Sequence, residues 1–598
     1  MSLSYQPLQP VLVKDPRMIL KNKRDYAVLK CGSQTTWKQW TTTSVSASSM
    51  QFSTPPPSGQ IAVDRKCFFQ CPIRLNFSGN APMGQLLLNP FQDAPRAFPL
   101  SGSIDTLNIT INNQSVSINM ADVIHALMHF NTSHHLKEID YSATPTMEDQ
   151  SQNYSNLFGS NRSPLAFYGD TNDGSVQSRG SFPFTIVSNT NTSAIVDFVV
   201  TEAIYLSPFY WGCKNGSAFI NVNTMDWNVT FLSNAGNRMW SHDAVSTGVA
   251  TTITSCVASF NNFSPAFSYA DNVPLMLINY ITPQATDIIP YNMPITYSYF
   301  DIQRYPSDSA NAVAPYTNVA MSSNNIQLNS IPRRIYLYAR QRNADLYASP
   351  NNTDTYFAIE NISVQFQNKN GLLASANKRQ LYEMSVKNHL DLSWNQFSGE
   401  PVIATGSAFS SGTGSSGNNS YGGVGSIVCI EFATDIGLDD LDAPGKLGQY
   451  MLQINMNAKN ISSNSITPTF YIVVVSEGTF TIQGLGKAST NIGVITSQDI
   501  LNARANPFVN YNDVEEVNGG EGNFLSGLKQ FGTELLDKVK GAIPFVKDVV
   551  GVAKEVAPLL GFGEDDMMDG EGEGEGVSFG GRRMHRSQLH HRIKRMRY

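Results

Sequence analysis

DRKCFFQCPIRLNF at 64–77 and IPRRIYLYARQ at 331–341 are the stretches on which the fold turns. In the first, Phe69, Ile73, Leu75 and Phe77 share one parity, the period-2 pattern of a strand with one buried face. Each stretch heads a series of elements in the same order. After the first comes SIDTLNITINNQSVSINM (103–120), where Leu107, Ile109 and Ile111 alternate, Asn112 and Asn113 turn, and Val116 and Ile118 alternate back. MADVIHALMHF (120–130) follows, with Val123, Ile124, Leu127 and Met128 at helical spacing. Three strand signals close the series: AIVDFVVTEAIYLSPFYWG (194–212), FINVNTMDWNVTFL (219–232) and VPLMLINYITP (273–283).

The second series repeats this plan. FAIENISVQFQNKNGLLASANKRQLYEMSV (357–386) reads as a hairpin turning at NKNG, then a helix, with Ile362, Val364 and Phe366 alternating. SIVCIEFATDIGL (426–438), GQYMLQINMNAKN (448–460) and TPTFYIVVVSEGTFTI (467–482) match the last three strands of the first series in order. A unit repeated in tandem has to be settled before any other reading of the chain. The boundaries this predicts are an N-terminal arm over 1–60, a first β-unit over 61–285, a bridging segment over 286–324 and a second β-unit over 325–500. The polar residues 131–190 and the Gly/Ser tract at 410–425 read as long loops.

Bulk properties agree with a β-rich chain. It has 598 residues, of which only 15% are charged, and 44 glycines and 30 prolines punctuate it with turns. A formal charge of −7 predicts no general affinity for nucleic acid. The six cysteines, Cys31, Cys67, Cys71, Cys213, Cys256 and Cys429, have no zinc-ligand spacing. Cys67 and Cys71 would lie on one strand face roughly 13 Å apart, too far to bridge. Buried thiols and a reducing compartment are expected. No apolar leader and no membrane-length apolar run stand out.

No catalytic motif emerges: GxSxG, HExxH and P-loop patterns are missing, and no cofactor is implied. His134 and His135 fall in a polar loop. Asp435, Asp439 and Asp440 at a strand end read as a solvated loop, with calcium as the alternative.

Eight strands per unit, a helix after the early hairpin and long polar loops point to jelly rolls. With RAFPLSGSIDTLNITINN (96–113), SIPRRIYLYARQ (330–341), SIVCIEFATDIGL (426–438) and the tail, the chain resembles the double jelly-roll major capsid proteins of icosahedral double-stranded DNA viruses. That is the adenovirus-hexon lineage, and the virophage and Polinton-like virus proteins look nearest. The fold class is therefore all-β: two tandem eight-stranded jelly rolls with short helices, an amphipathic helical segment and a disordered charged tail. The resemblance implies a non-enzymatic virion protein, assembled in the host cytoplasm or a viral factory. Three copies would make a pseudo-hexameric capsomer whose partners are other copies and minor capsid or penton proteins. Tyr210, Trp211 and Phe209 are aromatic candidates for lateral contacts, with plain core packing as the ordinary reading. Two alternatives are a single-jelly-roll shell protein with a projection from a small RNA or single-stranded DNA virus, and, more distantly, a carbohydrate-binding or hydrolytic β-sandwich.

The C-terminal hundred or so residues differ in composition. Over 501–563, Phe524, Leu528, Phe531, Leu535, Val539 and Ile543 form one apolar helical stripe. Lys529, Glu534, Asp537, Lys538 and Lys540 lie off it, and Pro544 interrupts it. Such a stripe suits an inner membrane, the inner shell or a minor protein, or simply docks on its own domain. Over 564–598 an acidic Gly-rich linker precedes a basic block of Arg582, Arg583, Arg586, Arg592, Lys594, Arg595 and Arg597, suited to the phosphates of a genome or to the inner capsid. His585, His590 and His591 read as part of that solvated block. The resemblance implies that the chain can be trimmed by an adenovirus-type viral cysteine protease, which favours a Met, Ile or Leu, any residue, then Gly-x-Gly. Gly561, Phe562 and Gly563 in LLGFG, and Gly570, Glu571 and Gly572 in MDGEG, fit that pattern.

Overall fold

The computed structural model describes residues 34–88, 93–131, 143–146, 182–207, 209, 218–242, 251–261, 273–284, 293–350, 352, 354–399, 424–462, 465–483, 486–493 and 495–504. Two sandwiches follow one another along the chain. The first holds β1 (Gln34–Thr41), β2 (Ser44–Val45), β3 (Ser49–Ser53), β4 (Ala62–Asn80), β5 (Ala94–Pro95), β6 (Ile104–Ile111), β7 (Gln114–Ile118) and helix α1 (Met120–Asn131). It continues with β8 (Thr185–Asn189), β9 (Ser193–Ala203), β10 (Met225–Phe231), α2 (Ala235–Met239), β11 (Trp240–Ser241), β12 (Thr252–Ser259) and β13 (Leu275–Thr282). The second holds β14 (Ile295–Asp308), β15 (Asn318–Ser322), β16 (Ile326–Ser330), β17 (Arg334–Gln341), α3 (Asn343–Leu346), β18 (Ala358–Phe366) and β19 (Lys369–Leu372). Then come α4 (Lys378–Lys387), α5 (Trp394–Ser398), β20 (Val428–Glu431), β21 (Leu447–Lys459), β22 (Pro468–Gln483), β23 (Lys487–Ile492) and α6 (Ser497–Arg504).

The connectivity repeats. One sheet of the first sandwich has the antiparallel order β1-β13-β4-β9, and one sheet of the second has β14-β22-β17-β20. The facing sheets run β3-β10-β6-β7 and, with the first strand split in two, β15/β16-β21-β18-β19. Lettered from B to I in chain order, both are B-I-D-G against C-H-E-F, the jelly roll. We call the two sandwiches roll 1 and roll 2. Two complete rolls leave the single-roll reading without support.

The duplication was legible, but each roll begins two strands earlier than the sequence predicted. Residues 34–53, expected in an arm, supply the B and C strands of roll 1, with β1 paired along its length to β13. The expected bridge at 286–324 supplies β14 and β15, and β14 pairs with β22 from Ile295↔Ile482 to Asp308↔Thr469. The stretches that opened the reading are therefore D strands. In roll 1 the reason is chemical: β1 reads QTTWKQWT and is exposed almost throughout. It is a polar edge strand, tolerated because its lysine and threonines discourage further pairing.

The D strand of roll 1 carries Pro72 in its middle. Its pairing with β13 stops at Gln70 and its pairing with β12 resumes at Arg74. Pro72 sits where the strand changes partner, so its missing N–H is not needed. Both hairpins after the D strands turn on a side chain in the left-handed region, Asn112 (φ 54°) and Gln367 (φ 53°). The second turn is Gln367–Asn368, which moves Lys369, Asn370 and Gly371 of the expected NKNG turn into β19. Helix α4 opens with a capping box: the Gln380 N–H donates to the Asn377 side chain at 2.9 Å, and the Asn377 N–H donates to Gln380 at 3.0 Å.

Core residues alternate along β6, β10 and β21, whereas β17 and the first half of β22 are buried on both faces. Cys67, Phe69, Cys71, Ile73, Leu75 and Phe77 of β4 face Met50, Phe52, Trp227 and Val229 across roll 1. Cys67, Cys71, Cys256 and Cys429 are buried free thiols.

Candidate functional site

Every side chain described on helix α1 is buried, including Ala126 and Phe130, which the four-residue stripe did not require. A helix buried on its polar as well as its apolar positions has a partner beyond its own roll. Its second partner is the outer face of the B-I-D-G sheet of roll 2. Phe130 lies 4.9 Å from the ring of Tyr336 on β17. Near its first turn, Asp122 accepts from Arg340 at 2.7 Å and from Asn343 at 3.0 Å, and pairs with Arg304 at 2.8 Å. The Tyr338 hydroxyl donates to the Asp122 carbonyl, and Arg340 reaches the Ala121 carbonyl at 3.3 Å. Arg340 also lies over the ring of Tyr471, which stacks on Tyr338. An acidic side chain in the first turn of a helix is favoured by the helix dipole, and here two guanidinium groups from another sandwich share it. Arg340 and Asp122 are 2% and 3% exposed, so their attraction is hardly screened by water, and removing either strands a buried charge.

Three further joints fasten the rolls. The loop after α3 grips α2 and the residue that follows β5: Arg238 pairs with Asp354 at 2.6 Å, Asn237 donates to the Tyr347 carbonyl at 2.8 Å, and Arg96 donates to the Pro350 carbonyl at 3.1 Å and to the Asn352 carbonyl. Burial pushes the Tyr347 phenol up to about 12, so it stays neutral there. At the second joint, Tyr297 of β14 donates to the Ala218 carbonyl at 3.2 Å and receives the Ile220 N–H at 3.1 Å. Its ring stands edge-on to Phe219, and Arg65 lies over both rings. At the third, His129 Nδ1 is 2.6 Å from Asp391, whose N–H donates to the His129 carbonyl at 3.0 Å. The seam is polar and interlocked, so it sets how one roll stands beside the other.

The sequence pointed elsewhere for functional residues. Phe524, Leu528, Phe531, Leu535, Val539 and Ile543, the Gly-x-Gly sites at 561–563 and 570–572, and Arg582, Arg583, Arg586, Arg592, Lys594, Arg595 and Arg597 all lie outside the described residues. So do His134, His135, Tyr210 and Trp211. Phe209 is core, fully buried against Phe219 and Trp227, which is the ordinary reading rather than the lateral-contact one. Asp435 accepts from Asn388 at 2.7 Å and from the Glu431 N–H at 2.8 Å, and Asp439 pairs with Lys369 at 2.9 Å. Among the described residues no cluster of His, Cys, Asp or Glu could hold a metal, and no helix is long and apolar enough to cross a membrane. The seam charges were missed, though a signal existed. Asp122 and Arg340 are lone charges inside apolar runs, MADVIHALMHF and IYLYARQ, and a charge there needs a partner.

Comparison with known proteins places the chain. The family model of the Sputnik virophage major capsid protein first domain matches residues 7–272. The model of the major capsid protein V20 C-terminal domain matches residues 302–478. A putative capsid protein V20 of Sputnik virophage is 33% identical over 620 aligned positions, 99% of this chain and all of that one. A chain of the cryo-EM structure of the Sputnik virophage superposes with a TM-score of 0.74 at 33% identity, covering 86% of this chain and all of that one. The crystal structure of mavirus major capsid protein shares the fold, with a TM-score of 0.64 at 15% identity over 84% of this chain and 99% of that one. With two jelly rolls of matching connectivity and a relative this similar along its whole length, the chain belongs to the virophage major capsid protein family.

Proposed function

We propose that this chain is the major shell subunit of a virion, and that three copies close into a pseudo-hexagonal capsomer tiling an icosahedral capsid. One observation carries the reading: a single chain holds two jelly rolls of identical strand order, locked by a buried polar seam. Two like rolls at a set angle are one third of a six-cornered tile, and head-to-tail contacts that close make a ring. Its division is a first roll over 34–282, a second over 295–492 and a tail beyond. The test is the mass in solution of the purified chain, followed by negative-stain imaging. Trimers with hexagonal outline support the reading, and monomers or pentamers refute it.

The tail extends the proposal inward. Its basic block would neutralise genome phosphate without reading bases, so its affinity for duplex DNA should fall steeply with salt. Its apolar stripe would seat on a membrane or on minor capsid or penton proteins. The Gly-x-Gly sites would admit a viral protease, and intact mass of the chain in mature particles checks this: full-length chain refutes trimming. Assembly in the host cytoplasm or viral factory suits the unbridged thiols, and the role is structural rather than catalytic.

A further inference from the structure

The two rolls are equivalent, but their equivalent surfaces are not equally covered. In roll 2 the outer face of the B-I-D-G sheet, carrying Tyr336, Tyr338 and Arg340, is roofed by α1 of roll 1. In roll 1 the same face, although buried at Pro72, Asp197, Ala203 and Asn279, is less covered among the described residues where β1, β13 and β4 meet. Trp37 is 51% exposed and lies 5.7 Å from Phe68, which is itself only part-buried, as is Leu277 beside it. Aligning the D strands on Arg65 and Arg333 puts Phe68 where Tyr336 stands, and keeps Cys67 and Phe69 on the core side with Ile335 and Leu337. Helix α4 follows the hairpin of roll 2 as α1 follows that of roll 1. Yet every side chain described on α1 is covered, while α4 shows Arg379, Gln380, Glu383, Val386 and Lys387 to solvent, with Val386 42% exposed.

Among the described residues one sheet face is thus left partly exposed, and one helix shows a side to solvent. We infer that α4 of one copy seats on the Trp37–Phe68–Leu277 face of roll 1 in the next copy, so that a helix covers this sheet between chains as α1 covers the equivalent sheet within a chain, without the buried ion pairs of the seam. This rests on the trimer proposed above and names the surfaces that close it. The occupant is a second copy because the covered face in this chain is already filled by the equivalent helix of an equivalent roll. Aromatic and aliphatic side chains meet at the centre, and Lys66, Arg379, Glu383 and Lys387 stand at the rim, the usual arrangement of an interface. The contact is head-to-tail, so it propagates, and it closes when the third copy returns to the first.

The experiment uses the full chain and two kinds of variant. Trp37→Glu and Val386→Glu each put a charge on one of the two surfaces at an exposed position. Both should keep the wild-type circular dichroism spectrum and drop the mass in solution to one third. Trp37→Cys and Val386→Cys test direction with a short bis-maleimide. Each alone should give no cross-link beyond that of the wild type. The two coexpressed should give linked pairs, and the double variant a ladder that stops at three chains. Trimers that persist in both glutamate variants overturn the inference while leaving the trimer standing, whether residues 1–33 or another protein then cover the face. Cross-linking of Trp37→Cys to itself overturns it too, since that is a twofold contact. A wild-type chain that is monomeric overturns the trimer as well.

Discussion

Asp122 is the residue on which most of the seam converges, and its worth can be bounded. Asp122→Ala leaves Arg340 and Arg304 facing a buried gap. The expected loss is about 3–5 kcal/mol, read from urea unfolding of the full chain. Arg379 and Glu383 on α4 are also 3.0 Å apart, but both are mostly exposed. Arg379→Ala should cost less than about 0.5 kcal/mol in the same assay. Glu202 is a different case. It is buried and accepts from the Leu100 and Ser101 N–H groups, the Ser101 hydroxyl and Thr144. Burial raises its pKa, and those hydrogen bonds only partly offset the rise. The folded chain therefore keeps the proton to higher pH than the unfolded chain does. Its contribution is complete below the unfolded value and is lost as pH rises through the folded one. Stability curves of wild type and Glu202→Gln, measured from pH 4 upward, should differ by a descending component present only in the wild type. Burial likewise raises the thiols of Cys67, Cys71 and Cys256, and that of Cys429 to about 12. Mass spectrometry after alkylation of the native protein should find these four unlabelled, and labelled once urea is added.

Elements were legible wherever their pattern was local. The hairpins, the helices after them and the G, H and I strands could be read from alternation and spacing alone. The B and C strands could not be read in roll 1, because β1 buries almost nothing and β3 is only five residues long. They are strands because long-range partners accept them, which no local window reports. Helix α5 escaped notice although SWNQ carries a capping box, with Gln396 reaching back to the Ser393 N–H at 3.0 Å. The Asn112 turn offers a test at this scale. Its side chain accepts from the Asn223 N–H at 2.8 Å while its backbone is left-handed. Asn112→Gly loses this bond together with those to the Thr224 N–H and the Asn221 carbonyl, as Asn112→Ala also does. Asn112→Ala adds backbone strain and should be less stable than Asn112→Gly by about 1–2 kcal/mol, measured by thermal unfolding.

The whole molecule inherits its behaviour from the seam. Two domains joined by a weak interface unfold separately, whereas these share buried ion pairs, hydrogen bonds and stacked rings. Calorimetry of the wild type should show one transition for the two rolls, and Asp122→Ala should split it into two. The duplication itself could be read from the chain, since order survives when identity fades. The site could not, because Asp122 and Arg340 are 218 positions apart and only the folded arrangement shows that they meet.

The uneven roofing of the two rolls has a mechanical consequence. In a ring of three such chains, boundaries stitched by peptide linkage and buried ions would alternate with boundaries that merely adhere. Load from packed genome or an indenting probe would then concentrate on every second boundary. Such a capsomer should crack along three lines rather than six, and fragments shed from a stressed shell should be whole chains, never half ones.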